Sequence, residues 1–354
     1  MNALEKMERS MAPAITKDQI EDHLLKIFRG DNSSEDFLLI TKTANEWVEE
    51  ARSRPIPRML FGEIWYEGEI CILYADTNLG KSILAVQIAS CLSSNVPILS
   101  LSQNLKEGKK VIYFDFELTD KQFENRASEN YKDHFRFSDE FLRVEINSFS
   151  EIPDKVNYEE YLLENIEGAI IDSKAEVVII DNITYLNDEL ESAKKALPLM
   201  KLLKKMNKSL KISALILAHT PKRDMSKPIT RNDLSGSKML MNFCDSAFAI
   251  GESSKDKNLR YIKQIKERQK GIVYDSDNVL VCEITKVDSL TQFIFRGYSS
   301  EQEHLKQYSD NEKEQRKLAA FEMHKNGFSN VAIGRELGVS EAAVRKWLKQ
   351  LKND

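Results

Sequence analysis

At 354 residues the chain is long enough for a domain with a large buried core plus one or two small appendages. Charged residues make up 30% and hydrophobic ones 42%, and a formal net charge of −5 excludes a protein coated in basic surface, so any nucleic-acid contact must be local. The four cysteines, Cys71, Cys91, Cys244 and Cys282, lie far apart and mostly inside apolar runs, which favours buried free thiols over disulfides or a zinc site.

The chain begins with a polar, charged stretch, Met1 to Ser10, and its longest apolar runs are strand-length. Neither export nor membrane spanning is expected, and the expected compartment is the cytoplasm. Residues 1–55 read as a helical arm, with one amphipathic helix over Ile20 to Phe28 and a second around Thr43 to Ala51. Pro55 and Pro57 mark its boundary.

The main domain is expected over residues 56–298. Its central feature is EICILYADTNLGKSILAVQIASC, Glu69 to Cys91: an apolar strand, a turn ending in Gly80-Lys81-Ser82, and an apolar-periodic helix directly after it. This is the strand, loop and helix of a phosphate-binding P-loop. Backbone amides over Ala75, Asp76, Thr77, Asn78, Leu79, Gly80, Lys81, Ser82 and Ile83, with the positive end of the helix dipole, form an anion site suited to nucleotide phosphates. Lys81 is placed to reach the β- and γ-phosphates, and the Ser82 hydroxyl is the expected Mg²⁺ ligand. The usual opening glycine is Ala75 here, so the backbone must turn into the loop in an ordinary conformation.

Downstream, KVIYFDF (Lys110 to Phe116) reads as a buried strand ending in Glu117, and a periodic helix follows over Tyr158 to Ala169. VVII (Val177 to Ile180) ends in Asp181-Asn182. A Leu- and Lys-rich helix covers Leu190 to Met206, and Ile212 to Ala218 is a strand ending in His219-Thr220. Uniformly apolar strands alternating with helices indicate an α/β fold with a parallel sheet covered on both faces. Beyond Gly236 short strands separated by turns, Cys244 to Ile250, Arg260 to Ile265, Val279 to Ile284 and Thr291 to Phe295, predict an antiparallel extension.

Ligands of such sheets bind at the carboxyl ends of the strands, so the polar residues there are the candidates for chemistry. Asp181 fits a Walker B carboxylate holding Mg²⁺ directly or through water. Glu117 could orient and deprotonate a water, and His219 could sense the γ-phosphate. Each also has a plain reading, as a surface carboxylate and a hydrogen-bonded scaffold residue.

The ADTNLGKS loop, Glu117 after VIYFDF, VVIIDN and ALILAHT stand in the order seen in RecA-like P-loop ATPases. SGSKMLMNFCDSAFAI followed by IKERQKG resembles the end of the ATPase domain in replicative hexameric helicases of the DnaB and plasmid RepA kind. The resemblance spans about Arg58 to Gly271. It implies ATP and Mg²⁺ as cofactors, Glu117 as the catalytic glutamate, Lys266 and Arg268 as a finger pair reaching a neighbouring subunit's site, and a homo-oligomer such as a hexamer. It also implies that the loop after His219 touches single-stranded DNA. That loop carries Lys222, Arg223, Lys227, Arg231 and Lys238, and its Pro, Ser and Gly content reads as long and mobile. The alternatives are an exposed charged strand end for the KxR pair and a solvated loop for the basic segment.

Residues 299–312 read as a charged linker without periodicity. Residues 313–354 hold nine Lys/Arg against five Asp/Glu, a local net charge of +4 in an acidic chain. There FSNVAIGRELGVSEAAVRKWLKQL fits a helix-turn-helix, with Val331 to Leu337 as first helix, Gly338-Val339-Ser340 as turn, Ser340 as cap and Glu341 to Leu351 as recognition helix. Ile333, Leu337, Val339, Val344, Trp347 and Leu348 are its expected core, leaving Arg345, Lys346 and Lys349 outward toward duplex DNA. The combination predicts an ATP-dependent DNA-acting protein, a helicase or replication ATPase of a mobile element. The alternative is an ATP-switched DNA-binding regulator or recombination accessory without unwinding, or a tail that binds a protein.

Overall fold

The computed structural model describes residues 39–147, 149–150, 156–182, 193–220, 223–234, 238–339 and 341–350. The helix expected over Ile20 to Phe28, Lys222, the Ser340 cap and Leu351 lie outside them, as does the side chain of Lys238. The chain divides into two compact units, Met1–Ile56 and Pro57–Asp354. In the first, helix α1 (Ala44–Arg52) is fixed at its start by a capping box, in which Thr43 and Glu46 satisfy each other's backbone amides.

The second unit opens with the short pair β1 (Met59–Phe61) and β2 (Trp65–Tyr66), followed by β3 (Ile70–Ala75) and α2 (Lys81–Ser94). Next come β4 (Val111–Asp115), α3 (Asp120–Arg126), the small pair β5 (Ser128–Glu129) and β6 (Asp133–His134), and β7 (Phe141–Val144). Helix α4 (Tyr158–Ser173), β8 (Val177–Asp181), α5 (Ala193–Leu210), β9 (Ser213–His219) and α6 (Lys238–Phe243) continue the alternation. The run β10 (Ser246–Glu252), β11 (Leu259–Lys266), β12 (Val279–Val287) and β13 (Leu290–Ser299) completes a nine-stranded sheet of order β13-β12-β11-β10-β3-β9-β8-β4-β7. From β10 to β7 every pairing is parallel, and from β10 to β13 every pairing is antiparallel. This is the RecA-type α/β arrangement, in which one strand, β9, separates the P-loop strand β3 from β8.

Strand alternation sends side chains to two cores. Ile70, Ile72 and Tyr74 face one with α4 and α5, whereas Cys71, Leu73 and Ala75 face the other with α2. Helix α2 is buried nearly all round, and its buried Gln87 works as a strand substitute: the amide donates to Phe293 O at 2.9 Å and accepts from Phe293 N at 2.8 Å. The outer edge of β13 is thereby covered at that residue.

Three expectations are revised. Phe141–Val144 adds an edge strand that its half-buried, non-alternating FLRV pattern does not announce. Residues 299–312 are not a free linker. Strand β13 runs to Ser299, Glu301, His304 and Leu305 are buried, and helix α7 (Asp310–Lys325) begins behind a Ser309 capping box. The basic loop is held rather than mobile over its described part, residues 223–234. Ile229 is buried, its N–H reaches Glu301 Oε1 at 2.7 Å, and its carbonyl accepts from Lys263 Nζ at 2.8 Å. Polarity made both segments look solvated. In the fold the polar groups satisfy one another: Glu301, 1% exposed, also binds Lys263 Nζ at 2.5 Å, Ser276 Oγ at 3.0 Å and Tyr261 OH at 3.2 Å.

The C-terminal region is all-helical, with α8 (Asn330–Leu337) and α9 (Glu341–Gln350) as the helix-turn-helix pair and α7 packed against both. Ala320 of α7 joins Ile333, Val344 and Leu348 in the buried core, with Met323, Leu337, Val339 and Trp347 around them. Gly338 turns the chain at φ 64°, a left-handed conformation that glycine adopts without strain.

The Glu301–Lys263 pair generates a stability prediction. Glu301→Leu should cost about 3–5 kcal/mol in urea unfolding, because it strands a buried ammonium. The double change Glu301→Leu with Lys263→Met should recover only part of that loss, because the Ile229 N–H and the Tyr261 and Ser276 hydroxyls still lack their acceptor.

Candidate functional site

The carboxyl ends of β3, β9, β8 and β4 gather the polar residues, since the strands themselves are buried on both faces. After Ala75 the loop turns through Asp76, whose Oδ1 accepts from Thr77 N at 2.7 Å, and through Asn78 at φ 63°. Ala75 itself stays in β3, so the loop does without the missing glycine. Leu79 is buried and anchors the turn, while Ile83 packs half-buried behind it.

Gly80, at φ 93°, sits at the N-terminus of α2 with no side-chain cap. A Cβ there would lie 2.8 Å from Ile284 and 3.0 Å from the Phe293 ring, so both backbone conformation and packing demand glycine. The first-turn amides of α2 lack intrahelical acceptors and, with the helix dipole, face an anion site.

Lys81 is buried, and its Nζ donates to the Ala75 and Asp76 carbonyls at 3.0 Å each. Burial lowers its pKa, against the opposing pull of Glu117, Asp181 and Asp76. Its charge is held on the loop by weak acceptors that a phosphate would outcompete.

Asp181 is 1% exposed. Its Oδ2 accepts from Tyr113 OH at 2.5 Å, while Oδ1 has no hydrogen-bond partner among the described residues. Burial lifts its pKa to about 6, Ser82 and Tyr113 pull the other way, and Glu117 and Asp115 push it further up. Thr220 Oγ1 is likewise buried without a partner, beside the loop through the 3.1 Å bond from Thr220 N to Ala75 O. A buried anion with an open oxygen, next to Ser82 and an anion-binding loop, fits a divalent cation bound together with phosphate.

Glu117 lies just beyond the end of β4, the strand next to β8. Its Oε1 accepts from Asn182 Nδ2 at 2.6 Å and faces His219 Nε2 at 3.4 Å. The His219 hydrogen bond, followed by that of Asn182, lowers its pKa against burial, so the carboxylate is charged and able to accept a proton. Sequence reasoning missed three partners here. Asn182 holds Glu117. Asp115 Oδ1 accepts from the Glu117 and Leu118 amides at 3.2 and 2.9 Å, and Arg143 locks Asp115 Oδ2 at 2.9 Å. The Asn after Asp181 and the Asp two residues before Glu117 were the available signals; Arg143, from a different strand, offered none.

Lys266 and Arg268 are not brought to this site. Lys266 Nζ caps α6 through Met241 O and Cys244 O, and Arg268 pairs with Asp245 at 2.8 Å and Asn242 O at 3.0 Å. Asp245 N binds Ile70 O, at the start of β3, whereas the loop follows its last residue. Five residues of strand put Asp245, and the Arg268 paired with it, about 17 Å from the end of β3, and Lys266 is level with Ile72, three residues short of that end.

Of the basic loop, Lys227 and Arg231 are exposed, whereas the half-buried Arg223 donates to Lys227 O. Lys227 stands 3.8 Å from Asp224. On α9, Lys346 and Lys349 are exposed, and Arg345 is exposed but paired with Glu341.

Residues 40–225 match the AAA domain family, just over half of the chain. The chain belongs to that family. Beyond the AAA domain, residues 311–354 match the Homeodomain-like domain. A comparison with curated protein sequences finds no match. Among solved structures, the KaiC-like protein PH0186 from the hyperthermophilic archaeon Pyrococcus horikoshii OT3 is similar at 12% identity and a TM-score of 0.46, covering 68% of this chain and 100% of that one. An AAA-type ATPase domain joined to a helix-turn-helix is the make-up of an ATP-dependent, DNA-associated protein. Among the described residues no helix is long and apolar enough to cross a membrane.

The raised Asp181 pKa predicts a pH-dependent cost. Its folded value lies above the ordinary 3.8, so its contribution to stability is full below that value and lost as pH rises through about 6. Without ligands, Asp181→Asn should therefore be more stable than the parent at about pH 8 by on the order of 2 kcal/mol, with the gap closing near about pH 4. Urea titrations at the two pH values check this.

Proposed function

We propose that this chain hydrolyses ATP in order to act on DNA, as a helicase or replication ATPase of the kind carried by mobile elements. The observation that carries the hydrolysis is Glu117. It is a charged carboxylate at a strand end, held by Asn182 and His219, on the same sheet edge as a P-loop and a buried Asp181. In this reading the α2 amides and Lys81 bind the phosphates, and Lys81 leaves its carbonyl partners to do so. Glu117 orients a water and takes its proton as the water oxygen bonds to the γ-phosphorus and the bond to ADP breaks. His219, bonded to that carboxylate, adjusts it to the occupied site. Ser82 and Asp181 are the residues that would hold Mg²⁺, which when bound supplies neutralisation of phosphate charge.

Lys266 and Arg268 complete a neighbouring subunit's site. Their position toward the opposite end of the strands supports this, because about 17 Å of strand separates the level of Arg268 from its own loop. Assembly of a homo-oligomer is further supported by the edge strand β7. Beside it opens a cavity of about 550 Å³ lined by Phe114, Phe116, Val144, Leu162 and Ile166, a receptor for an added segment. Lys227 and Arg231 make backbone contacts to single-stranded DNA, and Lys346 and Lys349 to a duplex.

Glu117→Gln should keep ATP binding and lose hydrolysis by about 10²–10⁴-fold, and Lys81→Ala should lose binding itself. Nucleotide titration beside steady-state turnover separates the two. An unchanged rate in Glu117→Gln returns that residue to scaffold. Arg268→Ala should be inactive alone and partly rescued in mixed assemblies with Glu117→Gln, whose own fingers are intact; no rescue rules out action in trans.

A further inference from the structure

The helix-turn-helix does not hang from the core on a tether. Leu305 is buried, and Lys306 N binds Met225 O at 3.0 Å, so the connecting segment is hydrogen-bonded to the basic loop. The Tyr308 ring then meets two cations, Lys306 Nζ at 4.9 Å and the Arg316 guanidinium at 4.1 Å. Arg316, on α7, also donates to Leu337 O and stands 6.0 Å over the Trp347 ring of α9. One arginine thus joins the connector, the turn and the recognition helix. The turn itself meets the core: a Cβ on Gly338 would lie 3.3 Å from Arg223 O.

The seat has a direct path to the nucleotide site. The loop bearing Arg223 leaves the sheet just after His219 and Thr220. It returns at Thr230, whose carbonyl accepts from Tyr74 OH at 2.8 Å, one residue before the P-loop begins at Ala75.

A recognition helix enters the major groove by its N-terminal residues, and the groove is about 12 Å wide. The residues that lead into α9 therefore come close to the duplex backbone. In this chain the first of those residues, Gly338, lies against the core loop, while Val339 packs into the helix-turn-helix core. We propose that the helix-turn-helix is held here in an occluded seat on the Arg223–Met225 loop, that duplex binding requires its release, and that nucleotide on the P-loop shifts the balance through that loop. This rests on the ATPase and duplex-binding reading above, and adds its regulation.

The test is the duplex affinity of the full chain, with and without a non-hydrolysable ATP analogue. Two released variants are compared with the parent: Tyr308→Ala, and a six-residue Gly/Ser spacer inserted between Tyr308 and Ser309, which leaves both folded parts intact. Neither touches Lys81, Glu117, Lys346 or Lys349. Without nucleotide, both variants should bind duplex about five-fold or more tightly than the parent. The parent's affinity should change with the analogue, and the spacer variant's should not. By linkage, duplex should change the parent's affinity for the analogue by the same factor. A spacer variant that binds duplex no more tightly than the parent, or that responds to the analogue as the parent does, overturns the proposal. Failure of the underlying reading looks different: Lys346→Ala with Lys349→Ala would leave duplex binding unchanged, or the parent would bind no analogue at all.

Discussion

A parallel strand covered on both faces can carry polar side chains only where it ends, and that constraint organises this molecule. Strands β3, β9, β8 and β4 are buried nearly throughout, and Lys81, His219, Asp181 and Glu117 stand at or just beyond their carboxyl ends. The site is therefore a row at one edge of the sheet, fixed by strand register. What the register assembles is incomplete by itself: Asp181 has an open buried oxygen, and Lys81 is satisfied by its own loop's carbonyls. Buried polar groups left in this state cost stability, and a bound phosphate with its cation is what would relieve them.

The antiparallel half of the sheet has a different task. Ile284 and Phe293 close against Gly80, and Gln87 ties α2 to β13, so the phosphate loop is braced from a part of the chain two hundred residues away in sequence. The Glu301 network does the same for the loop after β9, joining β11, the segment past β13 and Ile229. Both braces use polar atoms buried in well-satisfied arrangements, which hold geometry more than they add free energy.

Much of this was legible in the residues. The GKS turn between an apolar strand and an apolar helix, the alternation of buried strands with helices, and the Gly338 turn are local patterns with local causes, and the structure has each of them. What escaped depends on distant partners. Residues 299–312 look like a linker because Glu301 and His304 are polar, and only Lys263, Ser276 and Ser253 across the fold explain their burial. Half of helix α7 is charged, so the contribution of Ala320 and Met323 to the helix-turn-helix core carries little periodic signal. Arg143 reaches the turn that bears Glu117 from an edge strand that has no clear strand pattern.

The central claim, that the row of residues at the sheet edge is an ATP-hydrolysing site serving DNA, is tested most directly by steady-state ATP turnover of the full chain with Mg²⁺, measured alone and with single-stranded or duplex DNA. The account predicts Mg²⁺-dependent turnover that rises when DNA is added, most with single strands if the protein translocates. Turnover absent under all of these conditions, or present and indifferent to both forms of DNA, would contradict it.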